Sequence, residues 1–108
     1  MQIEEPEGVD AAEDIAAIDG IDALFVGPAD LAICYGTTDP ASKVVRDAMG
    51  RTGNACKKHG KSLVTFAPNA EPTQALSALG VSVFCIASEH AFMMQAARTV
   101  TTDIKAVT

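Results

Sequence analysis

Apolar positions along this chain change period in a regular way. "IDALFVG" (residues 21–27), "SLVTFA" (62–67) and "VSVFCIA" (81–87) are short unbroken runs rich in β-branched and aromatic residues, the pattern of strands covered on both faces. A weaker segment, "MQIEE", reads the same way at the start. Elsewhere the apolar residues recur at helical spacing. Val9, Ala12, Ile15 and Ala16 share one face of a first helix. Asp39 as N-cap and Pro40 at the first helical position open a second, which turns Val45, Ala48, Met49, Thr52, Ala55 and Cys56 inward and ends at Gly60. Asn69 caps a third through Leu76 and Leu79, stopped by Gly80; Ser88 and Glu89 start a fourth with Met93, Ala96, Ala97, Val100 and Ile104 on one side. The order βαβαβαβα predicts an α/β fold with a parallel sheet, right-handed crossovers and outer helices. No low-complexity linker interrupts it, so residues 1–108 read as a single segment.

With 108 residues and 48% apolar content there is room for one modest core. No apolar run approaches the roughly 20 residues a membrane helix needs, and the acidic start is unlike a signal peptide. The chain therefore reads as soluble, with no membrane partner. Cys34, Cys56 and Cys85 are an odd number without a CxxC pair or zinc-ligand spacing, which fits reduced thiols in a cytoplasm. Net charge is -6, but residues 1–40 hold ten acids and no Lys or Arg, whereas residues 41–61 hold Lys43, Arg46, Arg51, Lys57, Lys58 and Lys61 against Asp47 alone. Such blocks read as two solvated helix faces. Nucleic acid is excluded as a partner, because the total is acidic and Phe25, Tyr35, Phe66, Phe84 and Phe92 are not interleaved with the basic residues.

Chemistry in parallel sheets gathers at the carboxyl ends of the strands. Glu4 lies at the end of the first predicted strand and Asp30 just past the second. Adjacent strands are about 4.8 Å apart, so the two acids can face one cavity. Two carboxylates with few other hard ligands suit a divalent cation such as Mg²⁺ or Mn²⁺. In "GPAD", Gly27 lets the backbone approach a ligand, Pro28 fixes the turn, and the amides of Ala29 and Asp30 are free for an anion. Spacing alone leaves the matter open, since acids after strands are common. His59 reads as a helix C-terminal cap, His90 stands at the mouth of the last strand, and Met93 and Met94 read as core or interface packing.

The pair "QIE" and "GPADL", within "QIEEPEGVDAAEDIAAIDGIDALFVGPADLAICYG" and on to the C-terminus, resembles the HpcH/HpaI family of class II pyruvate aldolases. These cleave 4-hydroxy-2-oxo acids to pyruvate and an aldehyde. The resemblance implies Glu4 and Asp30 as ligands of a divalent metal, Mg or Mn. It implies Gln2 beside the bound oxo acid, the Gly27, Pro28 and Ala29 backbone around the pyruvate carboxylate, and Val64 as an apolar pocket residue. The implied fold is the second half, strands five to eight, of a TIM (β/α)8 barrel of roughly 250 residues. The family's catalytic arginine and histidine-based proton-transfer group belong to the first half, so no catalytic residue is assigned and the isolated chain is expected to be incomplete. Ala32 stands where serine is frequent, and Glu5 where a small hydroxyl residue is usual. Implied partners are a small 2-oxo acid and either a complementary half-barrel or further copies of the chain, with Phe92, Met93 and Val100 at the interface. Two other functions compete: a non-catalytic half-barrel fragment or partner subunit, and a receiver-like signalling domain. The latter needs a lysine followed by proline after its last strand, where this chain has "IASEH".

Overall fold

The computed structural model describes residues 1–108. Its strands, β1 (Gln2–Ile3), β2 (Ala23–Val26), β3 (Ser62–Ala67) and β4 (Val81–Ile86), form one parallel sheet in the order β1-β2-β3-β4. Each crossover steps to the next position in the same direction, as in a closing barrel. A receiver-like domain reverses direction after its first crossover, so that alternative is set aside.

The pleat gives the sheet two unlike faces. Ile3, Leu24, Val26, Leu63 and Val81 point outward and are buried beneath helices. These are α1 (Pro6–Asp10), α2 (Ala12–Ala16), α3 (Pro28–Cys34) and α4 (Lys43–Lys58). Val45, Ala48, Met49, Ala55 and Cys56 of α4 complete this core. On the opposite face Gln2, Phe25, Val64 and Val83 stand in register. Two residues further along each strand come Glu4, Gly27, Phe66 and Cys85. Nothing in the chain covers this face, and Val83 and Phe66 are 46% and 42% exposed.

Several helix boundaries differ from the sequence expectation for one reason. Asp39 and Asn69 do not cap helices: the Oδ1 of each accepts the N–H two residues on, from Ala41 and Glu71, both at 2.9 Å. That local turn uses up the side chain, so α4 begins at Lys43 rather than Pro40, and α5 (Thr73–Ala78) begins after Pro72. Ser88 does cap α6 (Glu89–Val107), its Oγ accepting from the Ala91 N–H at 3.2 Å. The first helix is broken at Ala11 into α1 and α2. "PADLAIC", continuous with an apolar run, is the helix α3 with Pro28 in its first turn.

The acidic and basic blocks face each other. Arg51 reaches Asp10 at 2.7 Å and Lys58 bonds Glu13, tying α4 to α1 and α2. Both pairs are solvated, so they add little to stability. Gly53 of α4 sets a closer contact: a Cβ there would meet the Leu79 carbonyl oxygen at 2.2 Å.

No residue of α6 is buried, and Met93 and Met94 are 63% and 42% exposed, so neither methionine belongs to the core. The helix leaves β4 without covering its outer face, where Ile86 stays exposed. The molecule is correspondingly long, 60 × 30 × 21 Å. No helix is long and apolar enough to cross a membrane.

Candidate functional site

The sheet ladder brings the two sequence-predicted carboxylates to one corner. The Gly27 N–H donates to the Ile3 carbonyl at 3.0 Å, which places Glu4 beside Gly27 at the carboxyl edge. The Gly27 carbonyl then accepts from Leu31 N–H at 3.0 Å and opens α3, carrying Asp30 back over the glycine within one turn. A Cβ built on Gly27 would lie 2.8 Å from Asp30 Oδ2, 3.2 Å from Glu4 Cγ and 3.5 Å from Glu4 Oε1. Both acids thus converge on the space a side chain at residue 27 would fill. Gln2 Nε2 donates to Glu4 Oε1 and fixes its direction. Glu4 is half-buried and Asp30 exposed. Pro28 has no N–H, and the N–H groups of Ala29 and Asp30 have no carbonyl partner within the chain.

Val64 sits one layer deeper on the same face, in register with Phe25. Phe66 is the strand residue level with Glu4 and Gly27, and its ring is open to the inner side. Sequence reasoning passed over Phe66, although strand alternation from Val64 gives it the same face two residues nearer the edge. Glu89 and His90 lie in the exposed first turn of α6, and neither is hydrogen-bonded to Glu4 or Asp30. His59 follows α4 at the amino end of the sheet, away from the corner, where its N–H donates to the Ala55 and Cys56 carbonyls.

No group of three His, Cys, Asp or Glu side chains converges anywhere in the chain. The corner offers two hard carboxylates and an open side. That donor set fits Mg²⁺ or Mn²⁺, which keep several waters and take further oxygens from a substrate, and does not fit a closed tetrahedral zinc site. Two concavities lie elsewhere, along α6 and between α4 and the amino end of β4.

The HpcH/HpaI aldolase/citrate lyase family model matches residues 1–102. The chain belongs to this family. It is 37% identical over 98 residues to a hydroxypyruvate/pyruvate aldolase of Delftia acidovorans, a match covering 90% of this chain and 36% of that protein. A 5-keto-4-deoxy-D-glucarate aldolase of Klebsiella pneumoniae is 45% identical over 69 residues, 63% of this chain and 27% of its own length. Among solved structures, an HpcH/HpaI aldolase/citrate lyase family protein from Burkholderia cenocepacia superposes with a TM-score of 0.88 at 32% identity, over 96% of this chain and 41% of that one. The chain spans about a third of the length of the curated relatives it matches. Its four strands and outer helices are part of an HpcH/HpaI TIM barrel, which explains the uncovered inner face.

Proposed function

We propose that this chain is the metal- and oxo-acid-holding half of a divalent-metal-dependent aldolase that cleaves 4-hydroxy-2-oxo acids to pyruvate and an aldehyde. The observation that carries the reading is the convergence of Glu4 and Asp30 over Gly27 at the carboxyl edge of a parallel sheet. The names of its relatives, which include hydroxypyruvate/pyruvate aldolases, support the same chemistry.

Glu4 and Asp30 hold the ion, Mg²⁺ or Mn²⁺, and Gln2 orients Glu4. The Gly27–Pro28–Ala29 backbone receives the substrate carboxylate, aided by the unpartnered Ala29 and Asp30 amides. Val64 and Phe66 form an apolar wall that keeps water from the carbon chain. A bound divalent cation supplies Lewis-acid charge against the negative charge that develops on the oxo acid as its C3–C4 bond breaks. Charge stabilisation by the family's arginine and proton transfer by its histidine group come from the complementary half-barrel. Together such groups are worth about 10⁴ to 10⁷ in rate.

The open inner face and the unburied helix α6 also favour association. Phe92, Met93 and Val100, 52%, 63% and 57% exposed, are the contact residues for further copies or a complementary half. The three free thiols fit a reducing cytoplasm.

Titration with Mn²⁺, followed by electron paramagnetic resonance with and without oxalate, tests the reading. The chain is expected to bind the ion, Asp30→Asn to lose it, and a first half-barrel added in trans to raise retro-aldol cleavage. Equal Mn²⁺ affinity in Asp30→Asn would remove the metal site and the reading with it.

A further inference from the structure

Only two polar side chains in the chain are fully buried, Thr52 and Thr65. Thr52 bonds the Ala48 carbonyl one turn back in its own helix. Thr65 joins two strands far apart in sequence: its Oγ1 donates to the Val26 carbonyl at 2.9 Å. Its neighbours on the same face of β3, Leu63 and Ala67, are apolar and buried, so nothing about packing calls for a hydroxyl. A buried hydroxyl is retained where its bond is satisfied, and the residue it bonds here is informative.

Val26 is the last residue of β2, and the next peptide group leads into Gly27. That peptide is held from both sides. Its N–H donates to the Ile3 carbonyl of β1, immediately before Glu4, while its C=O accepts from Thr65 of β3. The turn that carries Asp30 thus starts from a peptide fixed between the two neighbouring strands. We propose that Thr65 is a positioning residue that sets Asp30 relative to Glu4 by clamping the Val26–Gly27 peptide. The proposal rests on the metal-site reading given above and adds a residue that touches neither ion nor substrate.

Two readouts on the full chain test it. Thr65→Val keeps the shape, removes the hydroxyl and suits the apolar surroundings, so the fold should survive with a melting temperature close to that of the parent. Loss of one hydrogen bond at the clamp should weaken Mn²⁺ binding about tenfold and speed exchange of the Gly27 amide by a similar factor. Thr65→Ser, which restores the donor, should recover both. Unchanged Mn²⁺ affinity in Thr65→Val, with Asp30→Asn inactive in binding, overturns the role of Thr65 while leaving the metal site standing. If the parent chain binds no Mn²⁺, the metal reading falls instead, and unchanged Gly27 exchange in Thr65→Val then overturns the clamp on its own terms.

Discussion

Gly27→Ala isolates the candidate site from the fold. Gly27 has φ -87° and ψ 95°, a conformation open to any L-residue, so alanine brings no backbone strain. It brings a methyl group into the one place where both carboxylates point. The closest atom, Asp30 Oδ2 at 2.8 Å, is the end of an exposed side chain that can swing away at little cost to folding. The next, Glu4 Cγ at 3.2 Å, has to yield by a few tenths of an ångström. Stability should therefore stay within about 1 kcal/mol of the parent, helped by the lower entropy of the unfolded alanine chain. Binding takes the loss. Forcing a methylene-sized group into an occupied space costs about 1–3 kcal/mol, which on the ion's affinity is about 5- to 150-fold. Mn²⁺ titration beside a thermal melt measures both quantities on the same sample. An alanine variant that binds Mn²⁺ as tightly as the parent would show that the ion does not sit between Glu4 and Asp30.

Gly53→Ala should do the reverse: its Cβ would meet the Leu79 backbone carbonyl at 2.2 Å, an atom that cannot swing aside, so a denaturant midpoint should report at least about 1–3 kcal/mol of lost stability. Thiol labelling should modify Cys34 and Cys85 in the folded chain and Cys56 only on unfolding, because Cys56 is 2% exposed and burial pushes its thiol up, partly offset by the Leu24 backbone. The Glu13–Lys58 pair predicts a pH effect of definite sign. The hydrogen bond and charge of Lys58 hold the Glu13 carboxyl below its ordinary value of 4.5, so the pair stabilises the folded chain above that pH and the contribution disappears as pH falls through the lowered value. The stability difference between the parent and Glu13→Gln, followed by thermal melts, should be present near neutrality and vanish in stronger acid; a difference that persists would mean packing rather than charge.

What the sequence made legible follows from period and position. The strands at 62–67 and 81–86 were plain because both are short, mostly apolar runs rich in β-branched and aromatic residues on both faces. The same property hid α3. "DALFV" and "LAIC" are both apolar, and over seven residues helical spacing cannot be told from strand continuation, while Gly27–Pro28 reads as a plain turn. Asp39 and Asn69 were misplaced because the side chain that makes a good N-cap also makes a good local turn. Glu4 and Asp30 could be paired from the rule that strands deliver their carboxyl ends to one edge, but the preference for Phe66 over Val64 at that level needed the register. The Arg51–Asp10 contact depends on how two helices cross, and no spacing announces it. The amphipathic stripe of α6 told that a face is to be covered and was silent on what covers it.

The site's precision comes from the sheet rather than from loops. The bonds at the corner are few and short-range in space: the Ile3–Gly27 ladder bond, the Gly27–Leu31 bond that opens α3, the Thr65 hydroxyl on the Val26 carbonyl and the Gln2 amide on Glu4. Those strands and the first turn of α3 rest on a core in which Leu24, Val26, Leu31 and Leu63 are at most 1% exposed. Helix α6 contributes no buried residue to that core and departs from β4, which supplies neither carboxylate. The chain therefore separates two tasks along its length. Residues up to Ala67 carry the corner, Val81 of β4 with Leu76 and Leu79 adds to the core behind it, and α6 presents surface only. Movement of α6 can then proceed without disturbing Glu4 and Asp30, because the elements that align those two acids do not rely on the helix for their packing.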